Sequence, residues 1–251
     1  MVLDQLAGSR EGLYIVVVGA ARDLAEALVR EPGLFAEKCR GIYLNIRSGS
    51  PDPAAVKAVE WNVKLDPAGF AEIFKAPCPV FWMPCLQDEA GAGDADSREF
   101  ATHYRFRQDE ILNELPPRVR NYFGWMFSKE SSSAWLEALN GNFDQLLAAK
   151  GPEYRMMYST GSFFDLAGFG VTRNGKILPK GDASGDWVYR FDPIEVECTA
   201  EGGARWQPSV SPSCQRFIFH VLDPVSYPKA MATAMRELLV SAYAPETLAK
   251  V

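Results

Sequence analysis

The sequence predicts an α/β protein in which a mostly parallel sheet is flanked by helices and carries a small antiparallel β extension near the C-terminus. Short apolar runs rich in β-branched residues alternate with segments of helical periodicity, which is typical of parallel βαβ units. Residues 187–222 alternate with period two around a Glu-Gly-Gly turn, which indicates an antiparallel hairpin. The chain shows neither an internal repeat nor a low-complexity linker, so we expect residues 1–251 to form a single domain with the β extension inside it.

The first half of the chain supplies three predicted strands. The unbroken apolar run at 13–18 is typical of a strand buried on both faces, and residues 23–29 follow with apolar side chains at helical spacing. Further strands are predicted at 41–46 and 79–83. Between them, Asp66-Pro67 predicts a helix start, with the aspartate as N-cap and proline at the first helical position.

The second half of the chain is predicted to be mainly helical before and after the β extension. An acidic, Gly- and Ala-rich loop spans about 87–100. Helical periodicity then returns at 109–115, 119–127 and 133–149, and a final helix is predicted at 227–243.

Composition and charge exclude several classes of function. The chain has 26 Lys+Arg against 32 Asp+Glu and a pI near 5.1, which argues against a nucleic-acid partner or an anionic membrane. It has no apolar run long enough for a membrane span and no signal-peptide pattern at its start, so we expect a cytoplasmic location. Five cysteines without a Cys-x-x-Cys pair, and only two histidines, argue against a zinc ribbon, a disulfide framework and serine–histidine hydrolysis.

Glu60-Trp61-Asn62 is the first candidate for a binding site. If this stretch is extended, Glu60 and Asn62 point to one face, and a carboxylate beside an amide suits sugar hydroxyls. The alternative is a polar loop that precedes a helix. Asn45 is a further candidate, because it is polar at the carboxyl end of a predicted strand, where sites of α/β proteins lie.

Asp165 is the second candidate. It stands between aromatic and apolar residues, and burying an isolated carboxylate is costly, so it must be paired, capping or ligating. An N-cap for a helix beginning at Leu166 is the plainest alternative. The acidic loop lacks the spacing of a calcium-binding loop, which favours a solvated surface loop over a metal site or the site of an unrelated enzyme.

Three of these segments resemble the inosine-uridine preferring nucleoside hydrolase family. Residues 13–28 look like the family's strand, Gly-Pro-Leu-Thr-Asn turn and helix, with Asp23 where asparagine is usual. The most specific match is Ala-Val-Glu-Trp-Asn-Val-Lys-Leu-Asp-Pro-Ala at 58–68, which looks like the family's Ala-Glu-Phe-Asn-x-x-x-Asp-Pro-Glu segment. Residues 163–167 are similar to its late His/Trp-Asp-Pro/Leu segment.

The resemblance implies a fold, a reaction and site residues. The fold would be nucleoside-hydrolase-like with a Rossmann-like core, and the reaction would be Ca²⁺-dependent hydrolysis of the N-glycosidic bond of ribonucleosides to ribose and free base. Glu60 and Asn62 would bind ribose hydroxyls, and Asp165 would be a Ca²⁺ ligand. The family's opening Asp-x-Asp-x-x-x-Asp-Asp cluster, which supplies the base and most metal ligands, has no counterpart here.

We therefore expect impaired hydrolysis, with no catalytic base identified, in a chain that is either truncated at its start or a degenerate member. The expected ligand is a small nucleoside or ribose-like molecule. Two alternatives stay open: a non-catalytic sugar or nucleoside binder, and a subunit completed by a partner chain or by a second copy in a homo-oligomer.

Overall fold

The computed structural model describes residues 1–52, 54, 56, 59–87, 98–129 and 135–242. The helices are α1 (Val2–Gly8), α2 (Arg22–Arg30), α3 (Pro32–Lys38), α4 (Trp61–Leu65), α5 (Pro67–Ile73), α6 (Asp109–Leu112), α7 (Pro117–Ser128), α8 (Trp135–Ala138), α9 (Asp144–Lys150), α10 (Thr160–Leu166) and α11 (Tyr227–Ala242). The strands are β1 (Leu13–Val17), β2 (Cys39–Leu44), β3 (Val80–Trp82), β4 (Tyr104–Arg107), β5 (Tyr154–Met157), β6 (Phe169–Val171), β7 (Ile177–Pro179), β8 (Tyr189–Cys198), β9 (Ala204–Pro208) and β10 (Arg216–Val221).

A six-stranded sheet with the order β1-β2-β3-β10-β8-β9 organises the chain. Its first four strands pair in parallel, and β8 and β9 continue it antiparallel. Helices flank this sheet, and two small antiparallel sheets, β4-β5 and β6-β7, lie beside it. The predicted fold class, a mostly parallel α/β sheet with an antiparallel extension near the C-terminus, is confirmed.

The segment 187–222 is more closely joined to the sheet than its alternating pattern suggested. Strands β8 and β9 form the expected hairpin, but β10 pairs in parallel with β3 as well as antiparallel with β8. Ile218 and Phe219 of β10 are both fully buried, one in each of the two hydrophobic cores. β10 is therefore a central strand of the main sheet. The assignment of residues 1–251 to a single domain stays a prediction.

Strand β1 is not buried on both faces, which corrects the expectation for residues 13–18. It is one of the two edge strands of the sheet, and among the described residues it pairs with β2 alone. Tyr14 is 48% exposed and the following Val18 is 61% exposed, while Val17 packs into the core. A strand at an edge keeps one row of backbone groups and part of its side-chain surface in solvent, whatever its hydrophobicity.

Two hydrophobic cores lie against the sheet. The first is formed with α2, α3 and α5, and its large fully buried side chains include Phe35, Ile42, Phe70, Ile73 and Trp82. The second is formed with α6, α10 and α11, and its buried aromatic side chains include Tyr43, Tyr104, Tyr189, Phe219 and Tyr227. Both cores reach the carboxyl ends of the parallel strands, so packed hydrophobic side chains support the start of each loop that leaves these ends.

The predicted start of the helix at Asp66-Pro67 is confirmed, whereas the single long helix predicted at 133–149 is wrong within the described residues. Asp66 caps α5 by accepting a hydrogen bond from the backbone of Gly69 at 3.1 Å, with Pro67 as its first residue, as predicted. Among the described residues of 133–149, α8 and α9 are separate helices. Phe143, which lies between α8 and α9, packs so closely on α7 that a Cβ at Gly124 would lie 2.2 Å from the Phe143 Cβ atom. Residues 131–134 lie outside the described residues.

No helix in the described ranges is both long enough and apolar enough to cross a lipid bilayer.

Arg216 is expected to be a main stabilising contact between β10 and the segment that precedes β3. Its guanidinium donates hydrogen bonds to the carbonyl oxygens of Phe74, Ala76 and Cys78 at 2.8, 2.6 and 3.1 Å. We expect Arg216→Ala to lower the free energy of unfolding by about 2–3 kcal/mol, because three carbonyls lose their donor. Urea unfolding measures this, with the exposed Arg118→Ala as the control; equal unfolding of both variants would contradict the assignment.

Candidate functional site

A cleft of ≈ 420 Å³ opens at the carboxyl ends of β1, β2 and β3. Val18 and Asn45 directly follow β1 and β2, and Cys85 lies three residues after the end of β3. The lining residues are Val18, Asn45, Val59, Glu60, Trp61, Asn62, Lys64, Cys85, Leu86, Tyr158 and Ser159. This end of a parallel sheet is where α/β proteins bind their ligands, so the cleft is the candidate functional site. It unites Asn45, Glu60 and Asn62 of the predicted site residues.

Glu60 is fixed in the cleft by backbone groups. It is the N-cap of α4, and its Oε1 accepts a hydrogen bond from the backbone N–H of Asn62 at 3.0 Å. Its Oε2 accepts hydrogen bonds from the backbone N–H groups of Val63 at 3.4 Å and of Arg47 at 3.1 Å. The expected extended stretch at 60–62 is therefore wrong, because α4 begins at Trp61. A carboxylate has roughly four acceptor positions, so Glu60 can still accept a hydrogen bond from a ligand hydroxyl.

Three side chains of α4 are available to a ligand. The Asn62 amide makes no hydrogen bond within the described part of the chain, so it offers both donors and an acceptor. The Trp61 indole is 69% exposed and presents an apolar ring beside this amide. Lys64 is exposed and forms no ion pair with any described residue. Together they give the cleft one apolar surface and several polar groups.

Asn45 lines the cleft but serves mainly to hold its floor together. Its Nδ2 donates hydrogen bonds to the carbonyl oxygen of Met83 at 2.7 Å and to Oγ1 of Thr102 at 3.1 Å. Its Oδ1 accepts a hydrogen bond from Oγ of Ser159 at 2.8 Å. Both donors of the amide are thus engaged by protein groups, which leaves one acceptor position for a ligand. Substrate binding by Asn45 stays a prediction.

Cys85 and Tyr158 contribute protonated groups to the cleft. Burial raises the pKa of the Cys85 thiol well above its usual value, and the neighbouring Glu60 carboxylate raises it further. Burial likewise raises the pKa of the Tyr158 phenol, with smaller contributions from Cys85 and Glu60. Both groups keep their protons at neutral pH, so they can donate hydrogen bonds but do not act as bases.

Asp165 lies outside the residues that line the cleft. It is in the last turn of α10, so the alternative that it caps a helix starting at Leu166 is wrong. Its carboxylate is 8% exposed, accepts a hydrogen bond from the Tyr43 hydroxyl and forms an ion pair with the Lys180 ammonium. Burial raises the pKa of Tyr43, and the hydrogen bond to Asp165 adds to this. Of the three roles considered for this acid, the structure describes a paired one.

The described surroundings of Asp165 do not fit a Ca²⁺ ion. Calcium sites gather six to eight oxygen ligands, whereas the Asp165 carboxylate faces an ammonium group. Within residues 1–52, 54, 56, 59–87, 98–129 and 135–242, no three His, Cys, Asp or Glu side chains come together as metal ligands would. The acidic segment 88–97 lies outside the described residues. The roles of Asp165 as ligand and of Ca²⁺ as cofactor stay predictions, and no step below depends on them.

Arg47 is a residue of the site that sequence reasoning missed. Its backbone has φ 69°, in the left-handed region that non-glycine residues rarely adopt, and this orients its N–H toward Glu60. Its side chain is 4% exposed, lies 5.8 Å from the ring centre of Phe70, and leaves Nε buried without a partner. Burial lowers the pKa of this guanidinium. The only available signal was its place just after a predicted strand, beside Asn45.

Comparisons with known proteins found likenesses among solved structures. A comparison with protein-family models and one with curated proteins gave no match. One similar structure is an inosine-uridine preferring nucleoside hydrolase from Bacillus anthracis, at 14% identity and a TM-score of 0.40, covering 94% of this chain and 64% of that one. Another is a purine-preferring ribonucleoside hydrolase from Gardnerella vaginalis, at 13% identity and a TM-score of 0.47, covering 96% of this chain and 66% of that one.

This chain therefore spans 64% and 66% of the lengths of those two structures. A likeness at such identity concerns the fold alone, and at TM-scores below 0.5 it supports no statement about the chemistry of the cleft.

Proposed function

We propose that the protein binds a ribonucleoside, or a sugar with the same vicinal hydroxyls, in the Glu60 cleft and hydrolyses its N-glycosidic bond weakly or not at all. The observation that carries the proposal is the Glu60 carboxylate, fixed by three backbone N–H groups beside the unengaged amide of Asn62. The ribonucleoside class itself comes from the resemblance of residues 58–68 to nucleoside hydrolases.

The geometry suits a polyhydroxylated ring with an attached base. The fixed carboxylate accepts hydrogen bonds from hydroxyl groups, and the Asn62 amide both donates and accepts. The exposed Trp61 ring offers a flat apolar surface of the kind on which nucleobases and sugar faces stack. The cleft volume of ≈ 420 Å³ falls within the usual size range of small-molecule sites.

The same geometry argues against efficient hydrolysis. Glu60 is the one carboxylate among the described residues that line the cleft, and both of its oxygens already accept hydrogen bonds from backbone N–H groups. One acceptor position remains for a ligand hydroxyl or a water molecule, so Glu60 does not serve both at once. Cys85 and Tyr158 hold their protons, so they do not replace it.

Titration calorimetry with inosine, uridine, adenosine and ribose tests the binding. We expect saturable binding of at least one nucleoside, and we expect Asn62→Ala to weaken it about tenfold, because a ligand hydroxyl loses its partner. Asn113→Ala, an exposed asparagine outside the cleft, serves as the matched control and should bind as the wild type does. Absence of binding for all four compounds would overturn the proposal.

A chromatographic assay for free base in the same mixtures tests the second half of the proposal. We expect no release of hypoxanthine or uracil above the uncatalysed rate, with or without added Ca²⁺. Steady release that is lost in Glu60→Gln at nucleoside concentrations that still saturate this variant would instead make Glu60 the base of an active hydrolase.

The exposed edge of the sheet favours one alternative, a subunit completed by a second chain. Among the described residues β1 pairs only with β2, it bears the exposed Tyr14 and is followed by the exposed Val18, and an unpaired edge strand is a site for pairing. Analytical ultracentrifugation distinguishes the cases. Dimers that dissociate when Val16 is replaced by Pro or Lys would favour a completed assembly, whereas a monomer over the whole concentration range would exclude self-pairing.

A further inference from the structure

A second cavity lies far along the chain from the Glu60 cleft and shares no lining residue with it. It has a volume of ≈ 170 Å³ and lies among β4, β5, α6, α7 and α11. Its walls are apolar almost throughout, with Phe106, Ile111, Phe123, Met157, Met235 and Leu239 among them. An apolar cavity of about 150 Å³ in a protein core is large enough to bind benzene, so this one has room for a small apolar group.

Two polar residues, Gln108 and Arg155, complete the lining. Gln108 is 6% exposed, and its Nε2 donates to the carbonyl oxygen of Lys150 at 3.0 Å. Its Oε1 accepts no hydrogen bond from the described residues and is not among their fully buried unpaired atoms, so it stays accessible to a ligand or to water. The wall thus offers one hydrogen-bond acceptor in an otherwise apolar cavity.

Arg155 supplies an exposed positive charge at the same cavity. Its backbone pairs with β4, but within the described ranges its side chain forms neither a hydrogen bond nor an ion pair. Two acids on adjoining segments, Asp109 and Glu153, pair instead with Arg107 at 2.5 Å and with Lys150 at 2.7 Å. An anionic group at the mouth of the cavity would find the Arg155 guanidinium available for a charge-assisted hydrogen bond.

We propose that this cavity binds a small carboxylic acid whose apolar body enters the cavity and whose carboxylate pairs with Arg155. The volume sets the body at about the size of a phenyl or isobutyl group. The three methionines Met126, Met157 and Met235 line the cavity, and their flexible side chains adapt to bodies of different shape. The Gln108 Oε1 atom accepts a hydrogen bond from a hydroxyl or amino group next to the carboxylate. The proposal is independent of the function of the Glu60 cleft.

Ligand-observed NMR and calorimetry with phenylacetate and 4-methylpentanoate test the proposal, with phenylacetamide and 4-methylpentanamide as neutral analogues. We expect the carboxylates to bind and the amides to bind at least fivefold more weakly. Arg155→Gln should weaken carboxylate binding about fivefold to tenfold and leave amide binding unchanged, as expected for an exposed charge-assisted bond. Arg118→Gln, on the exposed side of α7, is the matched control and should change neither.

A second variant, Met126→Trp, tests the cavity itself without changing any charge. Met126 is 43% exposed at the rim, so Met126→Trp should fold normally, narrow the opening and reduce binding of both kinds of ligand. Equal affinity of acids and amides would overturn the role of Arg155. Lack of binding by every probe, in a wild-type protein that still binds nucleosides in the Glu60 cleft, would overturn the site itself and leave the proposed function intact.

Discussion

Replacing Glu60 with alanine is expected to abolish measurable nucleoside binding and to lower the free energy of unfolding by about 1–3 kcal/mol. The carboxylate accepts hydrogen bonds from the backbone N–H groups of Arg47, Asn62 and Val63, so its removal leaves three donors without a partner and α4 without its cap. Calorimetry and urea unfolding measure the two effects. Glu60→Gln retains one acceptor oxygen, so its free energy of unfolding should stay close to that of the wild type. Its nucleoside affinity should still fall, because the carboxylate charge is lost.

Asp66 provides the matched control for this experiment. It caps the next helix, α5, through a hydrogen bond to Gly69, yet it does not line the cleft. Asp66→Ala should therefore cost similar stability, about 1 kcal/mol, and leave nucleoside affinity unchanged. If both variants lost binding equally, the effect would come from a loosened α4–α5 segment, and Glu60 would have no direct role in the site.

Asp165→Ala is expected to lower the free energy of unfolding by about 3 kcal/mol without changing nucleoside binding. The carboxylate is the buried partner of both the Tyr43 hydroxyl and the Lys180 ammonium, and its removal leaves a buried phenol unpaired. For a chain of this size, such a change corresponds to a decrease of roughly 6–12 °C in Tm. Scanning calorimetry measures it.

Lys180 separates a structural role of Asp165 from a metal-binding one. Lys180 is 46% exposed but its partner Asp165 is buried, so Lys180→Met should cost more than the loss of a surface ion pair, about 2–3 kcal/mol, because the carboxylate loses its counter-ion. If Asp165 is purely structural, millimolar Ca²⁺ leaves the Tm of the wild type and of Lys180→Met unchanged. A Ca²⁺-dependent rise in Tm that disappears in Asp165→Ala would support the predicted role of Asp165 as a metal ligand.

The alternation of strand and helix predicted the sheet well because it depends on local hydrophobicity. The runs at 41–46 and 79–83 coincide closely with β2 and β3, and the final helix is α11. The edge position of β1 could not be predicted, since a hydrophobic run does not reveal how many neighbours its strand will have. The central position of β10 could not be predicted either, because β10 pairs with β3, which lies far away in the sequence.

The candidate site was predictable where its residues are close in sequence. Glu60 and Asn62 share the cleft as expected, although through a helix cap and not through an extended stretch. The contact between Asp165 and Lys180 depends on how α10 packs beside the β6–β7 sheet, which no spacing in the sequence encodes. The role of Arg47 could not be predicted, because its positive φ is a property of the folded loop and not of the residue type.

The central position of β10 also sets an order of events during synthesis. β1, β2 and β3 leave the ribosome before β10 does, and β3 gains its second neighbour only when β10 follows. Until then, the β3 backbone edge beside Val80 and Trp82 stays open, and the floor of the cleft is supported from one side. The chain between β3 and β10 forms a long loop, and pairing across so long a loop makes folding slow. Until the pairing is complete, the open strand edge makes the nascent chain prone to aggregation. Ribosome-bound fragments that end before residue 216 should therefore be far more sensitive to proteolysis than the released chain.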